Sequence, residues 1–355
     1  MKRRSCSGCL FRLVLVILVL AAGGAAFVYY SAGRPYQGFN KPVILDFPKG
    51  TSSRSMGAQL AQAGVIQYSW LFSMERVLHP SARLLAGEYQ FSEPASAATV
   101  FDRIARGDVF FYELTIPEGS NIFDIAAIID RFDFMRGADF LRIAHDPSLI
   151  HDIAPDAPSL EGYLFPSTYR VERSTTVQQL CRMMTDLFRK QWRSLPGAAA
   201  RPSANATVTE ASLVEKETAV PDERPLVASV FANRLRIGMP LDCDPTTIYA
   251  ALLDQRYHGA IYRSDLDSSN PYNTYKHAGL PPGPIANPGI ASLKAALAPA
   301  DTKYLYFVAK ADGSGSHHFS ETIEEHGRAV QKYRQNTRQT SPKAEVRPAR
   351  RHHRR

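Results

Sequence analysis

The chain begins with one long apolar run. Residues 13–33, LVLVILVLAAGGAAFVYYSAG, contain no charged side chain, and about 20 such residues span a bilayer as a helix. Beyond them the pattern changes to short blocks. Over 41–146 the runs VILDF, GEYQFS and VFFYELTI read as strands, alternating with segments whose apolar residues recur at helical spacing. PKGTSSRSMGAQLAQAGVI sets turn residues and hydroxyl N-cap candidates before one such helix, and IPEGSNIFDIAAIIDRF repeats the plan with Ser120 as the expected cap. This is the pattern of a small binding module, and nothing in it looks catalytic. Over 160–334 helical and strand-like runs continue, now interrupted by LEGYLFPSTYRV, NPYNTYKHAGLPPGPIANPGIASLKAAL and YLYFVAKADGSGSHHFS. Loops so rich in Pro, Gly, Asn and Tyr either punctuate connections or supply the stacking faces and amide groups of a sugar-binding cleft.

The pattern predicts an α+β protein with five parts: a basic tail over 1–12, a transmembrane anchor over 13–33, a small α/β module with its connecting unit over 41–146, a mixed α+β domain over 160–334, and a basic disordered tail over 338–355. With 355 residues, 45% hydrophobic and 21% charged, the chain can bury two or three cores.

The net charge of +8 suggests nucleic acid until its distribution is followed. Lys2, Arg3, Arg4 and Arg12 crowd one end, and seven basic residues against Glu345 crowd the region from Arg338 onward, so the body between is slightly acidic. No basic groove for nucleic acid is indicated. Positive charge ahead of the apolar run keeps the N-terminus cytoplasmic and sends everything after Gly33 out of the cell. A cleaved signal peptide is the competing reading, since AAGGAA offers a cutting site. Phe27, Val28, Tyr29 and Tyr30 favour the anchor, because they lengthen the span and supply an interfacial aromatic belt. The tail SPKAEVRPARRHHRR has almost no apolar content and reads as a solvated segment, with attraction to an anionic surface as the alternative.

Cys6 and Cys9 form a CxxC without a second pair or a nearby His, which is weak support for a metal. Cys181 and Cys243 each read as small core residues, and spacing does not decide whether they pair. The chain has no P-loop, dinucleotide fingerprint or HExxH, so neither a metal nor a cofactor is expected.

ASLVEKETAV raises the sharpest question, because it sets Glu215 and Glu217 in an otherwise apolar helical run. Residues two apart on a helix point about 200° away from each other, so the two carboxylates cannot serve one site. Glu217 follows Leu213 by four and Val214 by three, which gives it a partly apolar face. Burial there raises its pKa toward the value a general acid requires. Glu215 is expected to face solvent or pair with a cation.

ASLVEKETAVPDERPLVASVFANRLRIGMPLDCDPTTIYA, EGYLFPSTY, YNTYKHAGLPPGPIANPG and YLYFVA with a later His-His-Phe resemble the YceG-like, or MltG-type, family of endolytic murein transglycosylases. The match runs in order across about half the chain. The resemblance implies a LysM-like peptidoglycan-binding module over 41–146, a catalytic transglycosylase domain over 160–334, and Glu217 as the catalytic acid. It also implies a single-pass protein of the bacterial cytoplasmic membrane with its body outside the cytoplasm. One departure is Ser167, where the family often carries Asp, which removes any role for an acid there. The implied reaction breaks the bond between N-acetylmuramic acid and N-acetylglucosamine in glycan strands without water, gives a 1,6-anhydro end, and terminates elongation of nascent glycan. Peptidoglycan synthases and division proteins are the candidate protein partners.

Glu161, Tyr163, Tyr169, Asn233, Asp244, Tyr272, Asn273 and Tyr275 are the candidate substrate contacts. Structural alternatives stand beside them: Asn233 as a helix C-terminal residue and Tyr275 as core packing. His317 or His318 could line the same cleft. Two other functions stay open. A hydrolytic muramidase needs a second carboxylate, about 5 Å or about 6.5 to 9.5 Å from the acid, for which Asp242 and Asp244 are nearest. A tethered peptidoglycan-binding scaffold needs no chemistry at all.

Overall fold

The computed structural model describes residues 7–201 and 203–340. The cysteine pair at 6 and 9 and the basic tail beyond 340 fall wholly or partly outside them. The apolar run forms one helix, α1 (Ser7–Gly33). Its stretch Phe11–Gly33 is 23 residues long with a mean hydropathy of 2.4, long and apolar enough to cross a membrane.

The described residues divide into two compact units, one within Met1–Glu113 and Arg170–Thr175 and including α1, the other within Leu114–Tyr169 and Thr176–Arg355. In the first unit the order is β1 (Val43–Phe47), α2 (Ser53–Gln62), α3 (Ser69–Leu78), β2 (Gly87–Phe91), α4 (Ala97–Arg106) and the start of β3 (Tyr112–Thr115). β1 and β2 pair antiparallel from Val43 opposite Phe91 to Phe47 opposite Gly87. Ser52 caps α2 by accepting from Ser55 N, as its hydroxyl-rich entry predicts. α2 and α3 approach closely at Gly57, where an added Cβ would lie 2.8 Å from Ser69 O. α4 shows why an amphipathic segment folds where it does: Ala97, Val100, Phe101 and Ile104 lie at helical spacing and are all buried, joining Phe47, Leu60, Phe72 and Tyr89 in one core. Each large apolar side chain so buried contributes about 1.5–3 kcal/mol. The returning segment is held by Arg173, which donates from Nε to the buried Glu88 at 2.7 Å.

The second unit contains α5 (Ile122–Ile129), α6 (Gly137–Ala144), part of β4 (Thr168–Val171), which pairs with β3, α7 (Val177–Ser194), α8 (Asn205–Glu217), α9 (Arg224–Arg236), α10 (Asp244–Leu253), the single turn α11 (Arg263–Leu266), α12 (Ile290–Leu297), the hairpin β5 (Tyr306–Ala309) with β6 (His317–Ser320), and α13 (Ile323–Thr340). The mixed α+β character predicted from the pattern is present. The boundary drawn near 146–160 lies inside this unit, because α5 and α6 are docked by buried hydrogen bonds that no local pattern reveals. Ile122 N donates to Glu161 Oε2 at 2.8 Å, Leu160 N to Ala144 O at 2.8 Å, and Asn287 N to Ser120 O at 2.9 Å.

The expected cap of α5 shifts by one residue. Asn121, not Ser120, is the N-cap, accepting from Phe123 N and Asp124 N while Asp124 accepts from Asn121 N in a capping box. Ser120 donates to Pro117 O instead. α8 is buried nearly all round, from Asn205 through Val214. Its Leu213 and Val214 share a core with Val227 and Phe231 of α9, Tyr249 of α10 and Ala295 of α12.

Candidate active site

α8 ends at Glu217 because Thr218 turns to extended backbone at φ −140°, ψ 132°. That ending places the Glu217 carboxyl in a cavity of about 360 Å³, with Phe231 and Arg234 of α9, Asp242, Asp244 and Tyr275 around it. Tyr306 and Phe307 of β5 and His326 of α13 close the other side. Glu217 Oε1 accepts a hydrogen bond from the Cys243 thiol at 3.0 Å. Burial raises its pKa; the thiol bond opposes the rise, nearby Asp244 adds to it, and His317 and Arg234 oppose it more weakly. A carboxyl so placed holds a proton more readily than an exposed one, which suits a general acid.

Glu215 takes the opposite side of α8, as helix geometry requires. Its side chain is buried, at 7% exposure, against Arg224 at 3.4 Å, and Glu215 Oε2 accepts from Gly289 N at 3.0 Å. Of the two alternatives for Glu215, pairing with a cation is the one realised.

Around Glu217 the walls are tied together by hydrogen bonds and ion pairs. Arg234 donates from Nε to Leu305 O at 2.7 Å and from Nη1 to Leu241 O at 2.9 Å, and its guanidinium lies 5.3 Å over the Tyr306 ring. It also stands 3.6 Å from Asp242, a residue in the left-handed region at φ +49° that side chains other than glycine, Asn and Asp rarely adopt. Tyr275 donates to Asp244 Oδ1 at 2.6 Å. Glu223 clamps the hairpin to the turn after Glu217: it accepts from His317 N at 2.7 Å, lies 2.7 Å from His317 Nδ1, and accepts from the Thr218 hydroxyl at 3.4 Å.

The structure brings Asp244 and Tyr275 to Glu217 and distributes the other predicted contacts elsewhere. Glu161 is fully buried beneath α5, with Oε1 accepting from Asn287 Nδ2 at 2.9 Å. Tyr163 donates to Asn205 Oδ1 at 3.2 Å, and Tyr169 donates to Phe165 O; both are buried. Asn233 donates from Nδ2 to Thr302 O at 2.9 Å and Tyr304 O at 3.0 Å, near the end of α9. Tyr272 packs on Tyr249 with ring centroids 5.1 Å apart. Asn273 is fully buried and holds the loop before it by donating to Leu266 O at 3.0 Å and Ser268 O at 2.7 Å. None of these six lines the cavity. His317 is committed to Glu223, and His318 lines a neighbouring cavity. Cys181 and Cys243 are both free and buried. Among the described residues, no three or more His, Cys, Asp or Glu side chains gather in an arrangement fit for a metal ion.

The sequence profile of the YceG-like family matches residues 45–332. The chain belongs to the YceG-like family. It is 31% identical over 332 residues to the endolytic murein transglycosylase of Bacillus subtilis, covering 87% of this chain and 90% of that one. It is 30% identical over 352 residues to the endolytic murein transglycosylase of Streptococcus pneumoniae, covering 89% of this chain and 63% of that one. The crystal structure of a yceG-like protein from Listeria monocytogenes superposes with a TM-score of 0.54 at 30% identity, covering 82% of this chain and 99% of that one.

In this YceG-like chain, Phe231, Arg234, Tyr306, Phe307 and His326 are cavity residues that the sequence reading missed. Phe231 and Arg234 lie within the quoted run FANRLR and Tyr306 and Phe307 within YLYFVA, but nothing in those runs marks them as cavity residues. Tyr306 and His326 come from segments far along the chain, and only folding brings them to Glu217.

Proposed function

We propose that this chain is an endolytic lytic transglycosylase that cuts glycan strands of peptidoglycan between N-acetylmuramic acid and N-acetylglucosamine. The observation that carries this reading is Glu217: one carboxyl, raised by burial and held by the Cys243 thiol, set at the wall of a cavity with two tyrosines and two aspartates. Relatives named endolytic murein transglycosylase support it over most of their length or of this chain.

Protonated Glu217 donates to the glycosidic oxygen as the bond to C1 breaks. The carboxylate so formed takes the proton of the muramic C6 hydroxyl, and O6 closes onto C1 to give a 1,6-anhydro end. One carboxyl therefore completes the cycle and no water is consumed. Because the attacking hydroxyl belongs to the same sugar, positioning supplies part of the rate without a second reactant.

A second reading, hydrolysis, is favoured by a specific observation: Asp242 and Asp244 line the same cavity and either could activate water. Against it, Asp244 accepts from Tyr275 and Asp242 faces Arg234.

The strand, helix, helix, strand order of the first unit supports a LysM-like glycan-binding module ahead of the catalytic unit. The apolar helix α1, with Lys2, Arg3, Arg4 and Arg12 before or near its start, supports a single-pass anchor that leaves the chain after Gly33 outside the cytoplasm.

Digestion of purified glycan with the full chain tests the chemistry. Products one water lighter than hydrolysis products are expected, and Glu217→Gln should lower the rate at least roughly a hundredfold while retaining glycan binding. Ordinary reducing ends, or near wild-type cutting by Glu217→Gln, would overturn the single-glutamate mechanism.

A further inference from the structure

The β5–β6 hairpin and α13 enclose a second cavity, of about 620 Å³, beside the one that holds Glu217. The two share no lining residue but are both built on β5 and α13. Tyr306 and Phe307 of β5 and His326 of α13 line the first, and the next residues of the same strand, Val308 and Ala309, with Arg328 of the same helix, line the second.

Their charges are opposed. Glu217, Asp242 and Asp244 face the first cavity, where the one arginine, Arg234, is engaged by backbone carbonyls and Asp242. Lys310, Arg328 and Lys332 line the second, and none of the three makes a salt bridge among the described residues. Glu325 and Asp312 line it too and stay charged, which leaves the lining with three cations against two carboxylates. Glu325 accepts from Glu321 N at 3.1 Å and Thr322 N at 3.4 Å, and Asp312 accepts from Ser314, which together with nearby Lys310 holds its carboxyl low. Arg328 and Lys332 are four apart on α13 and present their cations on one face.

We propose that this groove receives the acidic stem peptide carried by the muramic acid residue being cut. The proposal rests on the reading of the Glu217 cavity as a peptidoglycan site. The ring is uncharged at C1, where the bond breaks, whereas the peptide joins the same ring through the lactyl ether at C3 and bears free carboxylates. A muramic acid seated beside Glu217 thus projects an anionic chain out of an acidic cavity, and the adjoining basic groove complements it. The groove discriminates glycan that still carries its peptides from glycan that has lost them.

The test uses the full chain in detergent with two substrates: uncrosslinked glycan strands with stem peptides, and the same strands stripped by an amidase. The wild type should show a KM about tenfold lower on the peptide-bearing strands, the size of a few exposed charge pairs acting together. The difference should shrink as salt rises. Lys310→Gln with Arg328→Gln and Lys332→Gln should abolish it by raising KM on peptide-bearing strands alone, with kcat unchanged, while Arg328→Lys with Lys332→Arg should keep it. Wild-type cleavage of both substrates with one KM overturns the groove and leaves the enzyme reading standing. Equal losses on both substrates in the triple Gln variant also overturn it, and failure of the wild type to cut either substrate overturns both readings.

Discussion

Replacing Glu161 by Gln should remove a loss of stability that the wild type suffers as pH rises, so that the less stable of the two proteins at low pH becomes the more stable at high pH. The Glu161 carboxyl is fully buried and accepts from Ile122 N at 2.8 Å and Asn287 Nδ2 at 2.9 Å. Burial pushes its pKa from an ordinary 4.5 up to about 8, against partial lowering by the Ile122 amide and the Tyr249 hydroxyl. Between those two values the folded chain keeps a proton that the unfolded chain has released. The stability is therefore fully present below about 4.5 and lost as pH rises through about 8. Displacement by that amount corresponds to about 5 kcal/mol above both values. Gln cannot ionise, so the variant escapes this loss. Its amide, however, offers one acceptor to two N–H donors and orphans one of them, at about 1–3 kcal/mol. The variant should be less stable than wild type by about that amount at pH 5 and more stable by about 2–4 kcal/mol at pH 9. Urea denaturation followed by the fluorescence of buried Trp192 on α7, in a Trp70→Phe background, reads the unit that contains Glu161. Other raised carboxyls, Glu210 among them, tilt the wild-type curve the same way, so the quantity that matters is the difference between the two proteins. A difference that does not change with pH would refute the reasoning.

Glu215→Gln should keep substantial transglycosylase activity yet lose about 1–3 kcal/mol in denaturant titrations, because it weakens a buried pair with Arg224 while retaining an acceptor for Gly289 N. Cys243→Val should move the pH profile of kcat/KM to higher pH, since the thiol bond lowers the Glu217 pKa, whereas Cys243→Ser should leave it in place; identical profiles for Val and wild type would show that the thiol is a bystander. Deletion of 41–106 should weaken binding to sacculi more than it slows cutting of short glycan fragments, and an equal loss of both in a folded protein would mean that the first unit takes part in turnover. A reporter fused after Gly33 should be active only outside the cytoplasm, with the protein retained by membranes after a salt wash; release of a soluble body would favour cleavage at AAGGAA.

Features that depend only on neighbours along the chain are legible without the fold. VILDF, GEYQFS and VFFYELTI contain the strands β1, β2 and β3 because short alternating or β-rich runs bounded by turn residues leave little choice. The separation of Glu215 from Glu217 was equally local, since residues two apart on any helix diverge. Which polar residues line the Glu217 cavity depends instead on packing. Glu161, Tyr163, Asn233 and Asn273 carry the composition of a sugar cleft, but buried loops also need side chains to satisfy their backbone groups. Asn273 does so for Leu266 O and Ser268 O, and Asn233 for Thr302 O and Tyr304 O. The two uses demand the same residue types, so composition cannot separate them. Nor does pattern reveal that 114–146 belongs with the second unit, because the bonds that dock it join Ile122 to Glu161 and Ser120 to Asn287. Tyr306 and His326 reach Glu217 from two elements distant in sequence, and their convergence exists only once those elements pack.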